Sequence, residues 1–232
     1  PSTAMSISSM FTGKYPYQLN RKIYKKVDHY DQNKTLFGMY NNIGYHTCVL
    51  WPFEWIEKAY SYSKVFSEAT SLYNLKNINQ TITFKTKSEQ RNELFLNKDL
   101  AEKTLNKIIN KVDECLQNKS PLFMWIHLPH VISGGVGYGS DIGLFDKFVG
   151  IIREKFDDDS IFITADHGHM NCEYGIPTYG FHLNESAINI PLITPKINGM
   201  DEITFPTSNS QLIDIILHNK IIKNEFVYSD TM

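Results

Sequence analysis

The stretch FITADHGHMNCEYG (162–175) places an apolar run directly before a dense group of polar residues. Residues 160–165 predict a strand, and Asp166 and His167 follow at its carboxyl end. A carboxylate and an imidazole on one tight turn can both reach a single cation, and Gly168 lets the backbone turn close to it. The simpler interpretation is that Asp166 caps the next segment while His167 bonds locally. The strand before the pair favours a metal site.

Strand and helix patterns alternate outward from this stretch. Continuous apolar runs predict strands at 121–128 and 187–193, and YHTCVLW (45–51) predicts another. The clearest helical pattern covers 99–116, and a second helix is predicted near 141–156. This alternation predicts an α/β fold with a largely parallel central sheet and helices on both faces, in which ligands bind beyond the carboxyl ends of the strands.

Three shorter helices complete this prediction. The first covers 3–12, and Gly13 is its predicted C-terminal stop. The second runs through 35–43 and ends at Gly44. The third is expected at 208–218, where apolar residues recur at helical spacing.

Size and composition indicate one globular domain, because 232 residues that are 42% apolar can bury a sizeable core. The net charge of −2 gives no sign of a nucleic-acid or anionic-membrane partner. We expect a single domain over 1–232 with a lid or insertion near 52–90. No apolar run reaches the length of a membrane span.

The three cysteines, Cys48, Cys115 and Cys172, are far apart and odd in number, which argues against a disulfide framework. The chain does not begin with methionine, and we expect both termini to be truncated.

Further histidines lie at the predicted sheet boundary. In WIHLPHV, His127 is at the end of a strand and His130 follows a proline; they either line a site or satisfy local packing. In FHLNESAINIPLI, His182 and Glu185 precede another strand and either contact a ligand or hold a turn. A histidine at such a boundary suits proton donation or anion contact.

Six segments, in this order, resemble the sulfatase branch of the alkaline phosphatase superfamily. They span nearly the whole chain: TAMSISSMFTGKYP (3–16), TLFGMYNNIGYHT (35–47), PLFMWIHLPH (121–130), DDDSIFITADHGH (157–169), FHLNESAINIPLI (181–193) and SNSQLIDIIL (208–217). The resemblance implies a metal-dependent hydrolase of sulfate or phosphate esters. It also implies the superfamily's α/β fold.

The resemblance places the nucleophile at Thr3, ten residues before Gly13. Sulfatases have a cysteine or serine there, which is converted to formylglycine, whereas phosphoryl-transferring relatives use threonine directly. Ser2 and Ser6 are near, but the count favours Thr3. Without the resemblance, Thr3 is equally a helix cap.

The other site residues are also what the resemblance implies. Asp166 and His167 are the expected metal ligands, for Ca²⁺ if the enzyme is sulfatase-like and for Zn²⁺ or Mn²⁺ if it belongs to the phosphoryl-transfer branch. His182 and His130 are the expected catalytic partners of Thr3. The expected substrate-binding residues are His127, His169, Glu185 and Lys14.

The chain departs from the sulfatase pattern at three places. Met5 and Ile7 stand where the family has proline and arginine, and VLWPFEW (49–55) replaces a segment whose lysine and histidine contact sulfate. Two alternatives therefore stay open. One is a phosphoryl-group transferase, of the phosphoethanolamine type, acting on a lipid or glycan acceptor; the other is a binding protein that keeps the fold without activity.

Overall fold

A computed structural model of the chain describes residues 3–19, 21–22, 26–27, 31–53, 67–73, 98–128, 138–170 and 183–223. Its α-helices are α1 (Thr3–Thr12), α2 (Leu36–Asn42), α3 (Lys98–Leu116), α4 (Tyr138–Arg153), α5 (Glu185–Ile188) and α6 (Leu212–His218). Its strands are β1 (Arg21–Lys22), β2 (Lys26–Val27), β3 (His46–Phe53), β4 (Glu68–Tyr73), β5 (Leu122–Ile126), β6 (Ile163–Thr164) and β7 (Leu192–Ile193). The chain divides into two compact units, one formed by Pro1–Leu36 with Arg153–Met232 and the other by Phe37–Ile152.

The second unit contains a three-stranded parallel sheet in the order β4-β3-β5. The central strand β3 is apolar and buried over four consecutive residues from Cys48 to Trp51, as expected of a parallel strand covered on both faces. Helix α2 adds aromatic packing, because Phe37 meets the ring of Phe123 edge-on at 5.2 Å and Tyr40 stacks on the same ring at 4.2 Å. Gly44, with φ +88°, ends the segment after α2 as predicted.

Helix α1 organises the first unit. It buries Met5, Ile7, Met10 and Phe11, and it packs against α6 and the 3-10 turn Asn209–Gln211 that precedes α6. A second apolar cluster forms around three buried isoleucines near the end of the described chain, which are Ile197, Ile215 and Ile221.

The first unit corrects two strand predictions. Residues 160–165 form only the short strand β6, because Asp158–Ser160 is a 3-10 turn. Residues 187–193 are not one strand: α5 ends at Ile188, and only Leu192–Ile193 is extended. Strands β6 and β7 pair antiparallel. The apolar run at 187–193 is helical at its start because Asn184 accepts backbone hydrogen bonds from Ala187 and Ile188, which closes a helical turn.

The fold is therefore mixed helix and strand with a small parallel sheet. The larger parallel sheet with helices on both faces is not confirmed and stays a prediction. The predicted lid at 52–90 lies mostly outside the described residues, and its described part includes β4. Among the helices that the structure describes, none is long and apolar enough for a membrane crossing.

Candidate functional site

Thr3 is the first residue of α1, and the rest of that helix fixes its position. The helix ends at Gly13, whose backbone N–H bonds to Ser9 O and whose φ is +68°. A β-carbon at Gly13 would lie 2.8 Å from Ile213 Cγ2, so the absence of a side chain allows α1 to approach α6. This packing anchors α1 within the first unit.

The backbone of the Asp166–His167 turn is held by two hydrogen bonds, one from a backbone partner and one from a side chain. Gly168 N–H donates to Ala187 O at 2.9 Å, which fixes the turn against α5. Asn209 Nδ2 donates to Asp166 O at 3.1 Å, from the turn that packs against α1. The two bonds define the backbone on both sides of His167.

Three side chains converge at this turn, and we call them the Thr3–Asp166–His167 cluster. Thr3 Oγ1 lies 3.1 Å from His167 Nε2, across 164 residues of sequence. Asp166 Oδ2 lies 3.3 Å from the same nitrogen. The side chain of His167 is 4% exposed and that of Asp166 is 18% exposed, so the cluster is largely withdrawn from water.

The tautomer of His167 follows from its second ring nitrogen. Nδ1 lies 2.8 Å from Gly168 O, and a carbonyl oxygen only accepts, so Nδ1 carries the proton. In the neutral imidazole, the Nε2 lone pair then faces Asp166 Oδ2 and accepts from the hydroxyl of Thr3. In the imidazolium, Nε2 donates instead.

The donor groups of this cluster are of types that bind divalent cations. A carboxylate oxygen, an imidazole lone pair and a hydroxyl meet at one place, and metal-bound histidines usually donate their other N–H to a carbonyl or carboxylate, as His167 does. Within the described part of the chain, no group of three or more His, Cys, Asp or Glu side chains could hold a metal. The cluster contributes two such residues and the Thr3 hydroxyl.

His169 repeats the arrangement of His167 two residues further on. Its Nδ1 donates to Met170 O at 2.9 Å. Burial lowers the pKa of His169, the hydrogen bond to Met170 opposes this, and the charge of His167 lowers it further. The neutral imidazole is therefore favoured, which is the form that binds metals and accepts hydrogen bonds.

The remaining predicted site residues have different surroundings. Lys14 is exposed two residues beyond the far end of α1, a helix that spans about 14 Å from Thr3 to Thr12 by the helical rise. Glu185 is exposed at the start of α5. His127, in the second unit, follows β5 and has its ring 6.0 Å from that of Trp51. Neither Lys14 nor Glu185 belongs to the Thr3–Asp166–His167 cluster. His130 and His182 lie outside the described residues.

Sequence reasoning assigned no role to Asn209. It belongs to the segment SNSQLIDIIL, in which the apolar pattern predicted the helix but the polar turn before the helix was not predicted. Ser208 closes this turn, because its Oγ accepts from Ser210 N–H at 3.3 Å. Ser and Asn residues directly before a helix are typical of such a turn and could have indicated it.

Comparisons with known proteins inform the fold alone. No family model and no curated protein matches the chain. A solved structure described as "Crystal structure of Ps i-CgsB" is similar over 93% of this chain, with a TM-score of 0.55 and 13% sequence identity. The chain spans 60% of the length of that protein's chain.

Proposed function

We propose that this chain carries the site of a metal-dependent hydrolase of sulfate or phosphate esters, with Thr3 as nucleophile. The observation that carries the proposal is the 3.1 Å approach of Thr3 Oγ1 to His167 Nε2, beside Asp166 Oδ2. The sequence separation of 164 residues makes this meeting a product of the fold rather than of local geometry. A hydroxyl beside two potential metal ligands is placed for activation by a bound cation.

Each residue of the cluster has a defined role in this mechanism. Asp166 and His167 would hold a divalent cation, which would favour ionisation of the Thr3 hydroxyl and offset the charge of the ester oxygens. The His167 Nδ1–H bond to Gly168 O keeps the Nε2 lone pair directed at the site. Thr3 Oγ1 gives up its proton and forms the bond to the sulfur or phosphorus atom, the bond to the leaving oxygen breaks, and that oxygen takes up a proton. Water then attacks the ester on Thr3, which releases the acid and restores the hydroxyl.

The start of α1 adds a favourable environment for the transferred group. Backbone N–H groups in the first turn of an α-helix have no partner within the helix, and the helix dipole favours negative charge there. Thr3 is the first residue of the ten-residue helix α1. The anion formed on Thr3 would therefore lie at the end of the helix that stabilises it.

Threonine favours the phosphate ester within this proposal. Oxidation of cysteine or serine to formylglycine gives an aldehyde, because their β-carbon bears no further carbon. The β-carbon of Thr3 bears a methyl group, so the same oxidation would give a ketone. Direct attack by the hydroxyl suits phosphoryl transfer, to water in a hydrolase or to a second alcohol in a transferase.

The wider site and fold predictions belong to the same proposal. His182 and His130 would donate a proton to the leaving oxygen or contact the anion, and His127, His169, Glu185 and Lys14 would contact the substrate. The metal would be Ca²⁺ for a sulfatase-like enzyme and Zn²⁺ or Mn²⁺ for the phosphoryl branch. The parallel order β4-β3-β5 supports extension to a largely parallel sheet with helices on both faces.

The test is an activity assay on the full-length protein with an aryl phosphate, a bis-aryl phosphate and an aryl sulfate. Each substrate is combined with Ca²⁺, Mn²⁺ or Zn²⁺ after treatment with a chelator. We expect phosphoester turnover that requires one of these metals. Thr3→Ala should lower kcat/KM by at least about 1,000-fold, because the nucleophile is removed. Thr3→Ser keeps the hydroxyl and should lose no more than about 100-fold.

Ser6→Ala is the matched control, since it deletes a hydroxyl one turn further along α1 and should leave kcat/KM unchanged. Binding is measured separately: the metal should raise the Tm of the wild type and of Thr3→Ala, but not that of Asp166→Ala. Sulfate turnover without phosphate turnover would contradict the phosphoester preference. A Tm response to metal without turnover of any ester would favour the inactive binding protein.

A further inference from the structure

Two cysteines that are far apart in the sequence meet inside the second unit. Cys48 Sγ lies 3.0 Å from Cys115 Sγ, and 67 positions separate the two residues. Both are buried, with exposed fractions of 0% and 3%, and the two thiols are not joined by a disulfide. In this reduced arrangement, one thiol donates a weak hydrogen bond to the other.

The elements that carry the two cysteines define their positions. Cys48 lies in the central strand β3, where it pairs with Glu68 of β4 on one side and Met124 of β5 on the other. Cys115 lies in the last turn of α3, on the buried stripe that also contains Ile108 and Val112. The sulfur atoms therefore meet between a sheet and a packed helix, not at mobile loop ends.

The short separation distinguishes this pair from a metal site. Two thiolates on one tetrahedral Zn²⁺ stand about 3.8 Å apart, given Zn–S bonds of about 2.3 Å. A disulfide bond is about 2.0 Å long. The observed Sγ–Sγ distance of 3.0 Å therefore lies between the length of a disulfide bond and the spacing of two zinc-bound sulfurs. A shift of about 1 Å would join the two sulfurs.

We propose that Cys48 and Cys115 form a disulfide when the chain folds in the presence of a small disulfide oxidant such as oxidised glutathione. The Sγ–Sγ bond forms, the two S–H bonds break, and the S–S bond of one molecule of oxidised glutathione breaks. The two electrons and two protons lost by the cysteines convert that molecule into two glutathione thiols. Exchange takes place before the cysteines are buried, because neither thiol is accessible in the folded unit.

The disulfide would join the central strand of the sheet to α3 and close the chain between them. The closed segment spans 67 positions of sequence and includes β4. Closing a long loop stabilises a protein mainly by restricting its unfolded state. For a chain of this size we expect the Tm of the oxidised protein to exceed that of the reduced protein by about 5–10 °C.

The test uses the full-length protein with the Cys172→Ser substitution, which leaves Cys48 and Cys115 as the only cysteines within residues 1–232. It is refolded with oxidised and reduced glutathione, treated with N-ethylmaleimide under denaturing conditions, and digested without reductant for mass spectrometry. The expected result is a linked pair of peptides that contain Cys48 and Cys115, with neither cysteine alkylated. Reduction should lower the Tm by about 5–10 °C.

Two further variants separate the cross-link from general effects of reductant. Cys48→Ala and Cys115→Ala, each combined with Cys172→Ser, should show no change of Tm on reduction. Two are needed because the deletion of a fully buried sulfur in β3 can impair folding. The proposal is overturned if both cysteines of the refolded Cys172→Ser protein are alkylated or carry glutathione. It is also overturned if the wild-type protein links Cys172 to either of the other two.

Discussion

Asn209 donates its side-chain amide to the backbone oxygen of Asp166 at 3.1 Å, across 43 residues of sequence. Asn209 belongs to the 3-10 turn Asn209–Gln211, which packs against α1. The same turn therefore contacts the helix that carries Thr3 and holds the backbone of the candidate metal ligand. We infer from this relationship that Asn209 positions the Thr3–Asp166–His167 cluster.

Asn209→Ala should weaken metal binding by about 10-fold or more, because outer partners of metal ligands typically contribute this much. The loss of the amide leaves the Asp166 carbonyl without this donor and loosens the turn. Metal affinity is measured by competition with a chelating dye, and Asn42→Ala, an exposed asparagine at the end of α2, is the control. An unchanged affinity in Asn209→Ala would remove the positioning role.

Local signals predicted several elements correctly. The helix stops at Gly13 and Gly44 were confirmed, because a left-handed backbone is needed there and glycine adopts it without strain. The apolar stripe at 99–116 predicted α3 to within one residue. The juxtaposition of Asp166 and His167 after an apolar run was visible because they are adjacent in the sequence.

Long-range relationships were not visible in one sequence. The start of α5 looked like a strand because Ala187 and Ile188 are apolar, but the turn from Asn184 and the hydrogen bond to Gly168 decide its conformation. The contact between Cys48 and Cys115 depends on how α3 packs on β3. Such contacts follow from tertiary packing, which overrides local preference.

Alanine substitutions at Gly13 and Gly44 should separate steric overlap from backbone strain. Both glycines have positive φ, at +68° and +88°. A β-carbon at Gly44 meets nothing within 4 Å, whereas one at Gly13 would lie 2.8 Å from Ile213 Cγ2. Gly44→Ala should lower the free energy of unfolding by about 1 kcal/mol, and Gly13→Ala by about 2–4 kcal/mol because overpacking adds to the strain.

Urea unfolding of both variants measures this difference directly. The double variant Gly13→Ala, Ile213→Val keeps the backbone strain at residue 13 and a methyl group at the Cγ2 position of residue 213. It should therefore recover little of the stability lost in Gly13→Ala. Ile213→Ala removes the overlapping methyl group and serves as the partner in a double-mutant cycle with Gly13→Ala. Equal losses in Gly13→Ala and Gly44→Ala would contradict the role of the α1–α6 approach.

His169 should make the metal-free protein less stable in acid. Burial lowers its pKa below the ordinary 6.5, so the unfolded chain takes up a proton at a higher pH than the folded one. Above the ordinary pKa both states are neutral and His169 contributes no pH dependence. As the pH falls below it, the free energy of unfolding decreases, and the decrease ends once the pH passes the folded pKa.

His169→Gln should therefore lose less stability than the wild type between about pH 7.5 and about pH 5. Unfolding is followed in urea with a chelator present, so that metal release does not contribute. His218→Gln, an exposed histidine at the end of α6, is the control and should retain the wild-type dependence. A wild-type dependence in His169→Gln would show that burial of this imidazole does not affect folding.

Gly168→Ala should disturb the candidate site through one steric contact. A β-carbon at Gly168 would overlap Ser186 O and lie 3.1 Å from Ala187 C, and these atoms belong to the backbone of α5, which cannot rotate away. We expect a loss of about 1–3 kcal/mol in the free energy of unfolding. The response of Tm to metal should also be weaker, because Asp166 and His167 directly precede the displaced residue.

Gly150→Ala is the matched control. Gly150 lies in α4, and nothing lies within 4 Å of the added carbon, so the substitution should raise the free energy of unfolding by up to about 1 kcal/mol through helix propensity. A Gly168→Ala protein with wild-type stability and metal response would show that the turn tolerates a side chain and that its close contact with α5 is not required.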